Sequence, residues 1–389
     1  MARRQILGPV ILPLLIGGFL VQSLVPVVRI VTSYRALDAG YGVQTIGLIS
    51  ATFALLPVFL TVFIGRFNDA DGAGKTITAG ASIGLLACVM FWLGPETLST
   101  LIAANALLGI GQTMVLAGLQ VVTSRASSLA HRDTVLGNYM VAISMGQAIG
   151  PLAIGLSQDR TVVLIIPVAA SVLLLAAAVV LQQRIPHRPG AQDAAALPLR
   201  EIAAIRGLWW IIGLGSICVA AQDLLLAFLP VLGIERGFSP TVVGVLLSIR
   251  AAAAMASRLL FGRAVRRYGR MRLTLMTAGL GGVSLLVLVL PLPVWALALA
   301  MAATGFGLGI SLTSSVGLIM SVAPPRARGT ALSMRMTMVR IAQFAIPLTA
   351  GLVVTPLGAG GTFALSGTAI LCALAARPRN LTGHGGKPL

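Results

Sequence analysis

The strongest constraint on this chain is a succession of twelve apolar runs, near 6–28, 43–64, 76–94, 98–122, 135–157, 161–181, 207–232, 240–262, 273–292, 294–322, 330–355 and 360–376. Each is close to the roughly 20 residues a helix needs to cross the hydrocarbon core of a bilayer. The strands of a membrane barrel alternate polar and apolar side chains, and these runs do not, so helices are expected. With 57% hydrophobic and only 10% charged residues, the chain lacks the polar surface to be soluble, and lipid is its expected solvent. The first run follows Arg3 and Arg4 like a secretory signal. It is expected to be retained, because its apolar part is long and no small-x-small cleavage site precedes a soluble domain.

The second constraint is an internal repeat. Asp133 to Gly155 returns 196 positions later as Gly329 to Gly351, placing Thr134 on Thr330, Gln147 on Gln343, Pro151 on Pro347 and Gly155 on Gly351. At an offset of 197, Gly40, Gly47 and Gly65 fall on Gly237, Gly244 and Gly262. Duplication at this scale predicts an all-α membrane protein of 12 transmembrane helices in two parallel six-helix repeats, with a substrate site between the halves near the midplane. The expected division is 1–181 for the first bundle, 182–206 for a flexible cytoplasmic linker containing Pro186, Pro189 and Pro198, and 207–389 for the second bundle with a short tail.

If the amino terminus is cytoplasmic, the inner connections and tails collect most of the 28 Lys and Arg, with Arg263, Arg266, Arg267, Arg270 and Arg272 in one of them. Arg29, Arg35, Arg160 and Arg236 fall on the outer side, so the positive-inside rule places both termini in the cytoplasm of a cell (inner) membrane. The net charge of +18 is scattered over separate loops, which suits membrane lipids with anionic headgroups better than nucleic acid. Cys88, Cys218 and Cys372 lie in apolar runs without metal or redox spacing and are expected to be small buried hydrophobes. His131, His187 and His384 lie in cytoplasmic connections or the tail, and no nucleophile-base pair, metal spacing or nucleotide loop is present. No enzyme activity, cofactor or metal is therefore expected.

Three stretches carry a resemblance to a known family. Gly65-Arg66-Phe67-Asn68-Asp69-Ala70-Asp71-Gly72-Ala73-Gly74-Lys75 follows the second run, and Gly262 to Arg270 is its counterpart with Arg266 where an Asp would stand. Gly146-Gln147-Ala148-Ile149-Gly150-Pro151-Leu152-Ala153-Ile154-Gly155 lies on the fifth run. Together these resemble the major facilitator superfamily: the first is similar to its cytoplasmic motif, and the last to the GxxxGPxxG motif that this family associates with exporters and antiporters. The resemblance implies that Asp69 closes the inner gate against a helix terminus or Arg125. It also implies that Gly150 and Pro151 sit where the fifth helix packs on the eighth, with Gly65, Gly72, Gly146, Gly155 and Pro347 in the same class of conformational residues. One departure is Asn105, which stands before Gly109 where many proton-coupled members carry arginine.

Charges within apolar runs mark candidate sites, because a charge at mid-membrane is costly unless it faces a cavity or a partner. Asp223 in the seventh run, Arg250 in the eighth and Arg340 in the eleventh qualify. Arg29 sits toward the outer end of the first run, where snorkelling to the surface is an alternative. Asn105 and Gln112 on the fourth run add hydrogen-bonding candidates. Because the resemblance places the first and seventh helices face to face, Asp223 is expected to be the proton-responsive group or the outer-gate partner of Arg29. The function expected is secondary transport by a monomer, with a small-molecule substrate exported against protons. The alternatives are an importer or exchanger of small organic anions, and a membrane sensor or assembly factor that transports nothing.

Overall fold

A computed structural model describes residues 7–68, 72–126, 132–156, 160–185, 199–205, 207–323, 328–353 and 358–378. Among the described residues there are twelve long helices: α1 Leu7–Asp38, α2 Val43–Phe67, α3 Ala73–Leu93, α4 Leu98–Ala126, α5 Arg132–Leu156, α6 Arg160–Arg184, α7 Leu208–Glu235, α8 Pro240–Tyr268, α9 Arg270–Val287, α10 Val294–Val322, α11 Arg328–Val353 and α12 Gly358–Ala375. Ten of these, among the described residues, are long and apolar enough to cross a membrane. The exceptions are α9, which opens on Arg270 and Arg272, and α11, which carries Arg335 and Arg340. A helix is the form such sequences take in lipid, because it satisfies its own backbone hydrogen bonds. Phe59, Phe63, Leu93, Leu156 and Trp295 are at least 65% exposed, as befits side chains facing lipid rather than water.

Several positions matched in sequence have similar local geometry. The amide of Tyr41 donates to the Ala36 carbonyl at 2.9 Å, and that of Phe238 to the Gly233 carbonyl at 2.7 Å. Both closures need left-handed backbone at the intervening residue, which is glycine each time: Gly40 at φ 78° and Gly237 at φ 70°. Helices α3 and α4 cross so closely that a Cβ on Gly111 would lie 2.8 Å from the Gly80 carbonyl oxygen and 2.9 Å from the Gly84 nitrogen. In α9 and α10 a Cβ on Gly307 would lie 2.5 Å from the Thr277 carbonyl oxygen and 2.8 Å from the Gly281 nitrogen. Without a hydrophobic drive between helices in lipid, close backbone approach of this kind supplies the packing.

Two further crossings join the first six helices to the last six. A Cβ on Gly47 in α2 would lie 2.7 Å from the Pro347 carbonyl oxygen and 2.9 Å from Gly351 Cα in α11. A Cβ on Gly244 in α8 would lie 2.7 Å from the Pro151 carbonyl oxygen and 2.8 Å from Gly155 Cα in α5. Both seams lie toward the end of the bundle where α1 turns into α2 and α7 into α8. Farther from that end, helix α11 has no fully buried residue between Ala331 and Gln343 among the described side chains, and its Leu332, Met334 and Met338 pack only partly buried against the cluster around Leu208 and Leu318.

Several expectations change. Helix α1 continues ten residues beyond the predicted run, to Asp38, so Arg29 and Arg35 lie inside it. At 1.5 Å per residue Arg29 is ~14 Å from the helix end, too deep for snorkelling to explain its place. Cys88 and Cys218 are buried, but Cys372 is exposed on α12. Of the predicted linker, the described end is not loose: Leu199–Ala203 forms a short helix whose Ile202, 1% exposed, packs among Leu208, Met271, Leu318 and Ala331 under the second bundle. The three histidines lie outside the described residues.

Candidate functional site: an aspartate held among arginines

At the centre, four helices bring their polar residues together. On α1, the guanidinium of Arg29 lies with Nη1 3.4 Å from Asp223 Oδ1 of α7. Its Nη2 donates to Ser50 Oγ of α2 at 2.8 Å, and its plane covers the Phe53 ring at 4.6 Å. Arg29 is 4% exposed and so has exchanged water for an ion pair, a hydroxyl and an aromatic face. The other oxygen of Asp223 accepts from Gln343 Nε2 of α11. Gln343 Oε1 in turn accepts from Arg340 Nη1 at 3.0 Å. Asp223 is thus linked to an arginine on each side, and its bond to Arg29 spans the two halves of the molecule.

The third arginine approaches from α8. Arg250, 4% exposed, places Nη1 3.4 Å from Gln222 Oε1, and its charge interacts with that of Asp223. Its backbone is fixed by Gly305 of α10, where any Cβ would overlap the Arg250 carbonyl. Gly109 of α4 meets the Phe53 carbonyl in the same way. Phe53 and Arg250 are 197 residues apart, and Gly109 and Gly305 are 196 apart. Equivalent positions of the repeat therefore present an aromatic platform in one half and a cation in the other.

Of the predicted candidates, Asp223, Arg29, Arg250 and Arg340 come together. Asn105 lines the space beside Arg29, but its amide is already committed to Thr32 Oγ1 at 3.2 Å and the Leu101 carbonyl at 3.0 Å, so it ties α4 to α1. Gln112 makes a similar tie, donating to Gln22 Oε1 at 3.1 Å. The cavity beside Arg29, bounded also by Ser33, Ser50 and Ala227, measures about 10 Å³. That is room for one water, where a ligand pocket needs roughly 300 Å³ or more. In this conformation the Arg29 corner is a closed junction.

The motif on α5 divides its contacts, which corrects one expectation. Gly146 and Gly150 face α1: a Cβ on either would overlap the Phe19 or Ser23 carbonyl of the same half. The contact with α8 belongs to the Pro151 carbonyl and Gly155. Pro347 and Gly351 make the matching contact with α2. Gly65 has nothing nearby, whereas a Cβ on Gly72 would overlap Phe67. Asp69 lies outside the described residues, as does the side chain of its expected partner Arg125.

The sequence reading missed four residues. Arg258 Nη1 donates to Ser144 Oγ of α5 at 2.5 Å, a second polar bridge between the halves, and Arg335 of α11 lies beside Cys218 of α7. Both are charges inside apolar runs, the same signal that picked out Arg250 and Arg340. Gln343 stands out in the sequence only as a repeat position, and Gln222 is not marked by any sequence signal. Among the described residues no group of His, Cys, Asp and Glu is arranged to hold a metal.

The family model for the Major Facilitator Superfamily matches residues 10–347 and 211–387. An uncharacterized MFS-type transporter of Yersinia pestis is 22% identical over 254 residues, which is 62% of this chain and 63% of the relative. Multidrug resistance protein 2 of Bacillus subtilis is 23% identical over 258 residues, 63% of this chain and 64% of that one. The alignments thus span somewhat under two thirds of these relatives' lengths. Among solved structures, the nucleoside transporter NupG superposes with a TM-score of 0.77 over 94% of this chain and 98% of its own, at 14% identity. A POT family transporter in complex with 5-aminolevulinic acid gives 0.77 over 94% of both chains, at 14% identity. With a helical fold, a charged centre shared by two halves and a family model spanning most of its length, the chain belongs to the Major Facilitator Superfamily and is a multi-pass membrane protein.

Proposed function

We propose that this protein is a secondary transporter that carries a small organic anion by alternating access, with Asp223 as the group that breaks and remakes the junction between the halves. In this reading all twelve long helices span a cell membrane as two repeats of six, both termini are cytoplasmic, and one chain suffices. The packed α1–α2 end is then the outer face, and the half-exposed stretch of α11 between Ala331 and Gln343 faces inward. One observation carries the substrate reading: among the described residues at the centre, three guanidinium groups, Arg29, Arg250 and Arg340, surround a single carboxylate. A site with that excess of cations holds a carboxylate or phosphate.

The same network supports proton coupling. While Asp223 is paired with Arg29 the outer end is closed. Opening it parts the two and admits outside water, from which a proton takes the place that Arg29 held beside the carboxylate. One second reading has its own support: the likeness to the Bacillus protein named for multidrug resistance favours export of an amphipathic compound against entering protons. A sensor that transports nothing is the remaining alternative. Purified protein in liposomes, loaded with a pH-reporting dye and given labelled solutes, separates the three. Anion entry accompanied by protons supports the first reading, drug exit with proton entry the second, and the absence of any flux the third.

A further inference from the structure

We infer that the transported anion is seated on the second half of the molecule, where Arg250 of α8 and Gln222 of α7 form an oxyanion site that is distinct from the Arg29–Asp223 junction. This rests on the reading of the protein as an anion carrier and assigns that activity a place. Buried nitrogen donors are nearly always satisfied, and those that are not need a reason. Here two such donors belong to adjoining side chains. Arg250 Nε and Gln222 Nε2 have no hydrogen-bond partner, although the Arg250 side chain is 96% removed from solvent by its 4% exposure. The pair is joined to itself only by the 3.4 Å contact between Arg250 Nη1 and Gln222 Oε1. That contact uses the amide oxygen and leaves the buried Gln222 NH₂ group as an unpaired donor.

What remains is all donor and all positive. Arg250 feels the like charge of Arg258 two turns along the same helix, and the carboxylate nearest in charge, Asp223, is bonded elsewhere, to Arg29 and Gln343. A neutral acceptor would satisfy the geometry but not the charge. A carboxylate or phosphate oxygen satisfies both, and a guanidinium is suited to bind it in a forked arrangement. The backbone under Arg250 is held by the Gly305 crossing, so the site does not depend on a mobile segment.

The test uses the full chain in maltoside micelles, which contain no phosphate, and follows its unfolding midpoint while benzoate, inorganic phosphate or uncharged benzamide is titrated at constant ionic strength. Benzoate or phosphate, but not benzamide, is expected to raise the midpoint saturably. Arg250→Gln and Gln222→Leu should each weaken the apparent affinity by about 10- to 100-fold, the range for losing a charged hydrogen bond. Lys75→Gln, an exposed charge at the start of α3, should leave it unchanged and so control for net charge. Should Arg250→Gln fail to fold, Arg250→Lys keeps the charge, loses the fork and should show the same direction of change. If the oxyanions stabilise the parent and both variants alike, the seat is elsewhere while the anion reading stands. If no oxyanion stabilises the parent, or benzamide does so equally, both fall. If phosphatidylglycerol added to the micelles replaces the benzoate effect, the ligand is a lipid headgroup and the small-anion seat is wrong.

Discussion

Gly244→Ala adds a single methyl group at the seam between α8 and α5, and the structure gives its consequence in some detail. The new carbon would lie 2.7 Å from the Pro151 carbonyl oxygen, 2.8 Å from Gly155 Cα and 3.0 Å from the Gly155 nitrogen. All three are backbone atoms of the opposite half, so no side chain can swing aside, and relief requires α5 and α8 to part. Overpacking of this kind costs about 1–3 kcal/mol. If the penalty applies only where this end is closed, the balance between closed and open forms shifts by roughly 5- to 150-fold, at about 1.4 kcal/mol per factor of ten. Ser33, buried at 3% exposure beside the small cavity at this end, can report the shift. With Cys372 replaced by Ser, labelling of a Ser33→Cys protein by a membrane-impermeant thiol reagent should accelerate within that range when Gly244→Ala is added. Gly47→Ala, which meets Pro347 and Gly351 in the equivalent seam, should act in the same way. Gly150→Ala should not, because its methyl group strikes Ser23 within one half and should lower stability without opening the junction. Equal labelling in all backgrounds, or faster labelling from Gly150→Ala than from Gly244→Ala, would refute the assignment of the seams.

Three further outcomes follow from named contacts. Asp223→Asn should abolish accumulation of solute against a gradient in liposomes yet permit downhill exchange, because the amide mimics a permanently protonated acid; undiminished accumulation with unchanged pH dependence would remove Asp223 from coupling. Arg35 caps the end of α3 through the Phe91 and Gly94 carbonyls and lies 3.1 Å from Glu96, which is 37% exposed. Arg35→Gln should therefore lower the stability measured by thermal unfolding by about 1–3 kcal/mol, and Glu96→Gln by less than about 1 kcal/mol; the reverse order would mean that the ion pair outweighs the capping. Asn105→Leu should cost about 0.5–1.5 kcal/mol by the same measurement, through the lost tie between α4 and α1, since Thr32 keeps its bond to the Val28 carbonyl, with substrate affinity retained.

The helices and the repeat are legible from the sequence because both are local or periodic. Apolar runs of about 20 residues declare the helices, and matched glycines such as Gly47 and Gly244 declare where backbones approach. The partner of each approach is not declared. Gly150 reads as a close-packing residue in either case, yet only the folded chain shows that it meets Ser23 of α1 and not α8. The end of α1 was misplaced for a related reason. Arg29 and Arg35 interrupt the apolar pattern, and their compensation comes from Ser50, 21 positions on, Glu96, 61 positions on, and Asp223 in the other half. A window along the chain registers the charge without its partner. Asp223, Arg250 and Arg340 were found because intramembrane charge is itself the signal. Arg258 and Arg335 carry the same signal nearer their helix ends, where depth, not identity, decides the matter.

The central claim, that protonation of Asp223 releases Arg29 and opens the α1–α2 end, is tested most directly by a distance. Spin labels at Gly42, just beyond α1, and at Ile234, near the end of α7, are both on exposed positions and report the separation of the two halves there. A charged Asp223 holds the pair together and a neutral one cannot, so the parent should give a short distance and Asp223→Asn a dominant longer component under the same conditions. A short distance in Asp223→Asn equal to the parent's would contradict the claim.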